Sequence, residues 1–394
     1  MPTLANMNLC VGCTACVSKC PKHCLNMVYD DVGFAYPKLT NTEQCKKCNL
    51  CERVCPILNK IEIEDENTRA FAAFSLDNQI RLESSSGGIF TELALQVLSK
   101  NGVVYGAAYN DKWMVEHTAV DAIENLHKLR GAKYAESRLE GTFSEIECHL
   151  NNKREVLFSG TPCQVAGLKS FLKCDYANLL CVDFVCHGIP SPLVWEKYID
   201  ERKRADGEME MPCMVNQRSK ETGWSRYSYS SVIEYPDGRK YSAVSSDDLY
   251  MKLFCNDYIS RKSCKSCAFK GYDRFSDITL GDFWGIWDIA PEMDDGKGTS
   301  LVLIHSEKGR EAFSNLADRV KYRGTTLEEA SRENPALLYA ALENKERENV
   351  FRKIENGNFS ELYDLFPVDM PIKASRWKKF VQKTVKAIFP KNNE

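Results

Sequence analysis

The chain has 394 residues, enough for two or three domains with a sizeable core. Its net charge of −3, with 27% charged and 43% hydrophobic residues, gives no global case for nucleic-acid binding. No apolar run reaches the length of a spanning helix, and MPTLANMNLC lacks the basic start and apolar stretch of a signal peptide, so a cytoplasmic protein is expected. The chain also carries 18 cysteines. In a large chain without a signal peptide they point to metal binding or reactive thiols rather than disulfides.

The first predicted unit is a duplication. Cys10, Cys13, Cys16 and Cys20 follow C-x2-C-x2-C-x3-C with Pro21 next, and Cys45, Cys48, Cys51 and Cys55 repeat the pattern before Pro56, each offset by 35 residues. The spacing resembles the bacterial two-cluster ferredoxin run, in which three cysteines of one run and the fourth of the other share a cluster. One 4Fe-4S cluster would take Cys10, Cys13, Cys16 and Cys55; the second would take Cys45, Cys48, Cys51 and Cys20. Soft thiolates also suit zinc, but zinc sites use paired C-x2-C knuckles rather than triplets with a fourth cysteine and proline. Cys24 reads as a small buried filler. Two clusters make a short wire, and the remainder of the chain must receive electrons from it or supply them.

A polar linker, Asn59–Arg69, separates this unit from a region of alternating strands and helices. SSSGGIFTELALQVLSK predicts a Ser/Gly turn entering a helix whose apolar face is Ile89, Phe90, Leu93, Ala94, Val97 and Leu98. Strands are expected at Val103–Tyr109, Glu155–Gly160 and Asn178–Gly188, with helices near Gln164–Leu172 and from Ser191 to about Arg202. A hairpin turns at Pro236–Gly238, and DITLGDFWGI and TSLVLIHS supply further strands. The alternation implies an α/β domain with a largely parallel or mixed sheet and an antiparallel excursion. The expected organisation is an α+β ferredoxin-like domain at 1–62, an α/β flavin/iron–sulfur domain at 63–330, a helical extension at 331–370 and a basic amphipathic tail at 371–394.

Cys163 and Cys186 each follow an apolar strand. If those strands are parallel, both loops leave the same sheet edge, where ligands of open α/β sheets bind. Cys264 and Cys267, in SCKSCAFKG, precede the strand beginning at Asp277 and could fold back to that edge, giving four thiolates for a third cluster. The spacing equally allows Cys163 and Cys186 as buried small residues and the C-x-x-C pair as a zinc half-site or redox pair. Cys148, Cys174, Cys181, Cys213 and Cys255 have no ligand spacing, and Cys181 reads as core. Ser84–Gly88 opens a helix whose free N–H groups favour phosphate, though such starts are also common as plain caps. Lys133 could neutralise a phosphate or be a solvated surface lysine.

The segments SSSGGIFTELA, KYAES, FSGTPCQVAGLKSFL, VCHGIPSPLVWEKYI, SCKSCAFK and SDITLGDFWGI resemble, in order, the coenzyme F420 hydrogenase/dehydrogenase beta subunit family. With the ferredoxin segment and the C-terminal helices, the similarity covers roughly residues 1–365. The resemblance implies FAD against Ser85, Ser86, Gly87, Gly88 and Thr91, with Lys133, Tyr134 and Ser137 nearby. It also implies a cluster held by Cys163, Cys186, Cys264 and Cys267, a wall formed by Asp282 and Trp284, and a hydrogen-bonding rather than ligating role for His187. The chain departs from the family in reading RKSC, without the common Pro after Arg261.

The expected function is an iron–sulfur flavoprotein oxidoreductase, passing electrons from reduced ferredoxin or another redox protein through 4Fe-4S clusters to FAD and an organic acceptor, in the manner of members found in surface-polysaccharide gene sets. The alternatives are an electron-transfer subunit docking onto a hydrogenase or dehydrogenase, a coenzyme F420-dependent oxidoreductase, or a zinc-bound structural protein. In the tail Ala374–Lys391, Trp377, Phe380, Val381, Val385, Ile388 and Phe389 form one helical stripe among basic residues. That pattern fits either an interfacial helix, with membrane contact and a lipid-linked acceptor, or a helix docked on protein.

Overall fold

The computed structural model describes residues 2–59, 68–207, 209–357 and 359–366. The tail Ala374–Lys391 lies outside them, as does most of the polar linker. Residues 2–59 form a small unit: two short helical turns, Ala15–Ser18 and Leu50–Arg53, flank an antiparallel hairpin of β1 (Leu25–Tyr29) and β2 (Ala35–Leu39).

The second unit is built on an eight-stranded sheet in the order β13-β3-β12-β11-β7-β6-β4-β5. Its strands are β3 (Arg69–Ser75), β4 (Val103–Tyr109), β5 (Val115–Val120), β6 (Val156–Ser159), β7 (Leu179–Phe184), β11 (Ile278–Asp282), β12 (Ser300–Ile304) and β13 (Val320–Thr325). The parallel pairing is confined to β4, β6, β7 and β11, and the strands on either side are antiparallel. The sheet is therefore mixed, with a parallel centre. β6, β7 and β12 carry near-continuous buried apolar runs, as strands covered on both faces require. A separate antiparallel sheet of β8 (Met214–Ser219), β9 (Ser230–Glu234) and β10 (Lys240–Val244) is the expected excursion, with its hairpin at Pro236–Gly238.

Three helices position the site. Ile89–Leu98 buries Ile89, Leu93, Ala94, Val97 and Leu98 against the sheet and leaves Phe90 half-buried. Pro162–Leu172 starts with a capping box, Thr161 with Gln164, and Pro at its first position. Pro192–Ala205 is capped by Ser191 and buries Val194, Trp195, Tyr198 and Ile199. The N-terminal unit packs into the core of the larger one: Cys13, Ala15 and Val54 sit among Phe143, Val165, Leu168 and Phe171, while Phe34 and Tyr36 join the cluster around Trp195 and Tyr198.

Candidate functional site

Thiols of the N-terminal unit surround two adjoining cavities. Cys10, Cys13, Cys16 and Cys55 line one together with Cys51; Cys20, Cys45, Cys48 and Cys51 line the other. Cys51 borders both. Burial raises the thiols of Cys10, Cys13 and Cys16, and as thiolates this group would repel one another and Cys55. Such a set needs a positively charged core before it can deprotonate together. Cys24 is buried, as a filler would be, but it lines the second cavity as well and its N–H lies 3.3 Å from Cys20 Sγ as donor.

The four cysteines of the larger unit meet at a third cavity. β6 and β7 are parallel, so Cys163 at the start of helix Pro162–Leu172 and Cys186 after β7 emerge at one sheet edge. Cys264 and Cys267 arrive there on the one-turn segment Lys262–Ser266 and the residue after it. All four line the same small cavity with Val11, His187, Arg261 and Lys270. Burial and mutual repulsion raise Cys163, push Cys186 up to about 11 and Cys264 up to about 12. Among the described residues, no group of three or more His, Cys, Asp or Glu side chains is arranged to hold a single metal ion. The quartets stand around spaces instead.

A fourth cavity, about 500 Å³, opens at the carboxyl ends of β6, β7 and β11. Cys186, His187, Gly188 and Ile189 form its wall with the third cavity. Ser85, Ser86, Gly88, Thr91, Lys133, Tyr134 and Ser137 all line it, as do Asp282 and Trp284. Gly87 does not. A Cβ there would lie 2.6 Å from Ala73 O and 2.8 Å from Ser300 N, so this glycine is required where the loop presses on β3 and β12. A bulky side chain at Gly87 would therefore push into β3 and β12 before it touched a ligand.

Lys133 lines the cavity and is not a freely solvated lysine. Its half-buried Nζ donates to Lys128 O at 2.9 Å and Arg130 O at 2.7 Å, and burial pushes its pKa down to about 7. Ser137 belongs to a relay. His117 is held neutral, its pKa pushed down to about 4 mainly by burial; its Nε2 lies 3.0 Å from the Ser159 carbonyl and its Nδ1 2.8 Å from Ser137 Oγ. Because a carbonyl only accepts, Nε2 carries the proton and Nδ1 accepts from Ser137, whose oxygen in turn accepts from Gln164 Nε2 at 3.0 Å. His187 Nε2 stands 3.0 Å from Asp257 Oδ1.

Several residues of the cavity carry no motif in the sequence. Arg218, on β8, is buried under Trp224, Tyr229 and Trp284, with its guanidinium carbon 4.2 Å from the Tyr229 ring centre. It pairs with Asp282 at 2.8 Å and donates to Tyr134 Oη at 2.9 Å, which closes the small sheet over the cavity. Lys220 donates to the carbonyls of Arg81, Ser86 and Lys297, clamping the Ser84–Gly88 loop. Thr91 Oγ1, Arg218 Nε and Asp282 Oδ1 are buried on this wall without a partner in the protein. With the N-terminus of helix Ile89–Leu98, these orphaned groups give the wall unmet donors and acceptors for a polar ligand.

Arg261 joins the two units. Its buried guanidinium donates to Cys10 O at 2.9 Å, Ala35 O at 2.8 Å and Glu136 Oε2 at 2.6 Å, beside the Tyr36 ring. Gly167 makes a second junction: a Cβ there would lie 2.7 Å from Cys13 Cβ and 2.9 Å from its Sγ.

Three family profiles match the chain. Residues 9–58 match a 4Fe-4S dicluster domain. Residues 70–142 and 153–329 match the N-terminal and C-terminal parts of the coenzyme F420 hydrogenase/dehydrogenase beta subunit. Among solved structures, a chain of the xenon-derivatised F420-reducing NiFe hydrogenase complex from Methanosarcina barkeri is similar at 14% identity and a TM-score of 0.44, covering 78% of this chain and 96% of that one. At that distance it carries no inference about activity. A search of curated proteins gave no match. The thiol-lined cavities and the two profile halves agree: the chain is an iron–sulfur protein of the coenzyme F420 hydrogenase/dehydrogenase beta subunit family, carrying a 4Fe-4S dicluster domain at its N-terminus.

Proposed function

We propose that this chain is an iron–sulfur flavoprotein oxidoreductase that takes single electrons from a redox protein, such as reduced ferredoxin, and delivers them to an organic acceptor. One observation carries the reading: the four cavities form a continuous series, joined through Cys51, then Val11, then Cys186–Ile189. Cys10, Cys13, Cys16 and Cys55 would hold one 4Fe-4S cluster, Cys20, Cys45, Cys48 and Cys51 a second, and Cys163, Cys186, Cys264 and Cys267 a third. FAD would lie against Ser85, Ser86, Gly88 and Thr91, with Tyr134 and Ser137 beside it. When bound, such groups join one-electron delivery to the two-electron chemistry of an organic substrate.

The protein's own part is positioning and electrostatics. Lys220 ties the Ser86 carbonyl to those of Arg81 and Lys297, which holds the loop leading into helix Ile89–Leu98 at the rim of the cavity. The Arg218–Asp282 pair and its aromatic cover keep one wall dry and polar at once. Neutral His117 holds the Ser137 hydroxyl as its donor and leaves the Ser137 oxygen to Gln164. A cavity of about 500 Å³ favours an enzyme over a relay that only docks onto another subunit.

Anaerobic iron and flavin analysis tests this reading. About twelve irons and one noncovalent flavin per chain are expected. Cys264→Ser should lose about four irons and leave the N-terminal clusters visible by EPR. Iron near eight in the wild type, or full iron in the variant, would remove the third cluster.

A further inference from the structure

We propose that the face of the N-terminal unit around Lys22, Lys46 and Lys47 is the docking site for a small acidic redox protein, which delivers its electrons at the cavity of Cys20, Cys45, Cys48 and Cys51. The inference deepens the functional reading above by naming the port and the partner's surface chemistry.

Position comes first. The cavity of Cys10, Cys13, Cys16 and Cys55 faces inward: Cys10 and Cys13 are each 8% exposed, Cys10 O is bound by Arg261, and Cys13 packs on Gly167. The cavity of Cys20, Cys45, Cys48 and Cys51 is bordered instead by exposed residues, Lys46, Lys47, Cys48 and Asn49 among them. It is the end of the series farthest from the acceptor cavity, and so the end a partner can reach.

Charge comes second. Lys22, Lys46 and Lys47 line this outer cavity and are exposed; Arg53, also exposed, donates to Cys48 O at 3.2 Å. Among the described residues, none of these four cations is paired with a carboxylate of this chain. Glu43 stands on the same loop as a single exposed counter-charge. Of the other acids of the unit, Asp30 accepts from Val32 and Phe34 and lines a cleft against Glu136 and Arg138, Asp31 sits in the same turn, and Glu52 accepts from the Thr3 N–H. A patch of four cations against two acids, Glu43 and Glu52, on a chain of net charge −3, favours an acidic partner and steers it to the outer thiols. In each encounter one electron leaves the partner's reduced centre and this chain gains it; no bond forms or breaks.

The test uses the full, anaerobically loaded protein and follows its bleaching after mixing with a reduced acidic two-cluster ferredoxin, or with methyl viologen radical cation as a small reductant that needs no docking site. The variants are Lys22→Glu/Lys46→Glu/Lys47→Glu and the milder triple change to Gln. The wild-type rate with ferredoxin should fall steeply with salt. It should drop about tenfold to a hundredfold in the Glu variant at low salt, and by an intermediate factor in the Gln variant. Viologen should reduce the variants no more slowly than the wild type, at unchanged iron content. Equal ferredoxin rates in wild type and variants, no salt dependence in the wild type, or reduction by viologen but not by ferredoxin would each overturn the proposal. So would a loss caused instead by Met7→Ser/Leu9→Ser, which alters exposed apolar residues of the same unit. Low iron or absent flavin in the larger unit would sink the functional reading yet leave this test valid, because bleaching of the N-terminal clusters is read directly.

Discussion

In the N-terminal unit, Cys10, Cys13 and Cys16 reach one cavity from a single loop; in the larger unit, Cys163, Cys186 and the Cys264–Cys267 pair reach theirs from three separate segments. The first arrangement is set by local backbone geometry, the second by the parallel pairing of β6 with β7 and of β7 with β11. A locally coded site survives small shifts of its surroundings, whereas one assembled across a sheet moves with every strand that carries it. The contrast depends on the junction between the units, and the sharpest experiments act there.

Replacing Arg261 by Ala should have the largest effect. It leaves Glu136 buried without its counter-charge and two backbone carbonyls without a donor, a loss of about 3–5 kcal/mol. Denaturant unfolding of the loaded protein should show the lowered midpoint, and limited proteolysis should cut earlier between the units. An unchanged midpoint would mean the units are held together elsewhere. Gly167→Ala should follow, since the added methyl meets Cys13 directly and overpacking of this kind costs about 1–3 kcal/mol. Its signature is a changed EPR spectrum of the cluster nearest Cys13 with the other N-terminal cluster unaltered; an identical spectrum would deny the contact.

Smaller effects sharpen the larger unit's side of the comparison. Lys220→Met frees three carbonyls around Ser84–Gly88 and should weaken flavin retention roughly tenfold, about 1.4 kcal/mol, without loss of iron. Flavin content after desalting reads it, and full retention would show that the clamp is dispensable. The smallest concerns pH. Burial depresses His117 from 6.5 to about 4, so the folded protein keeps it neutral where the unfolded chain takes up a proton. Its contribution is complete above about pH 6.5 and is lost as pH falls toward 4. The stability profile of His117→Gln should be flatter across that window; parallel profiles would exclude the histidine as the cause.

The same contrast explains what the sequence made legible. The eight N-terminal cysteines announce themselves by spacing, because their ligand geometry is local. The quartet in the larger unit could be anticipated once two apolar strands were each seen to end at a cysteine, since a parallel sheet brings such ends to one edge. The parallel centre and the β9–β10 hairpin were readable from alternation and turn chemistry; the antiparallel flanks β3, β12 and β13 were not, because nothing local fixes the direction in which a buried strand pairs. Arg218, Lys220 and Arg261 were invisible as site residues, since each acts through partners distant in sequence. A strand and loop reading NQRSKETGW, mixing cations with tryptophan next to aromatic YSY, was the available signal. At Gly87 the space a side chain would need is taken by the sheet, a long-range contact that no local pattern announces.

Helix Pro162–Leu172 carries Cys163 at its start and Gly167 one turn later on the same side, at the third cavity and against Cys13 respectively. With the proposed third cluster in place, its gap to the N-terminal clusters would be ruled by one turn of helix, about 5.4 Å of rise, and by a missing methyl group. Tunnelling slows exponentially with distance, so this glycine works as a spacer of zero thickness. A change of one methyl group, which removes no thiol ligand, could throttle the current along the proposed route.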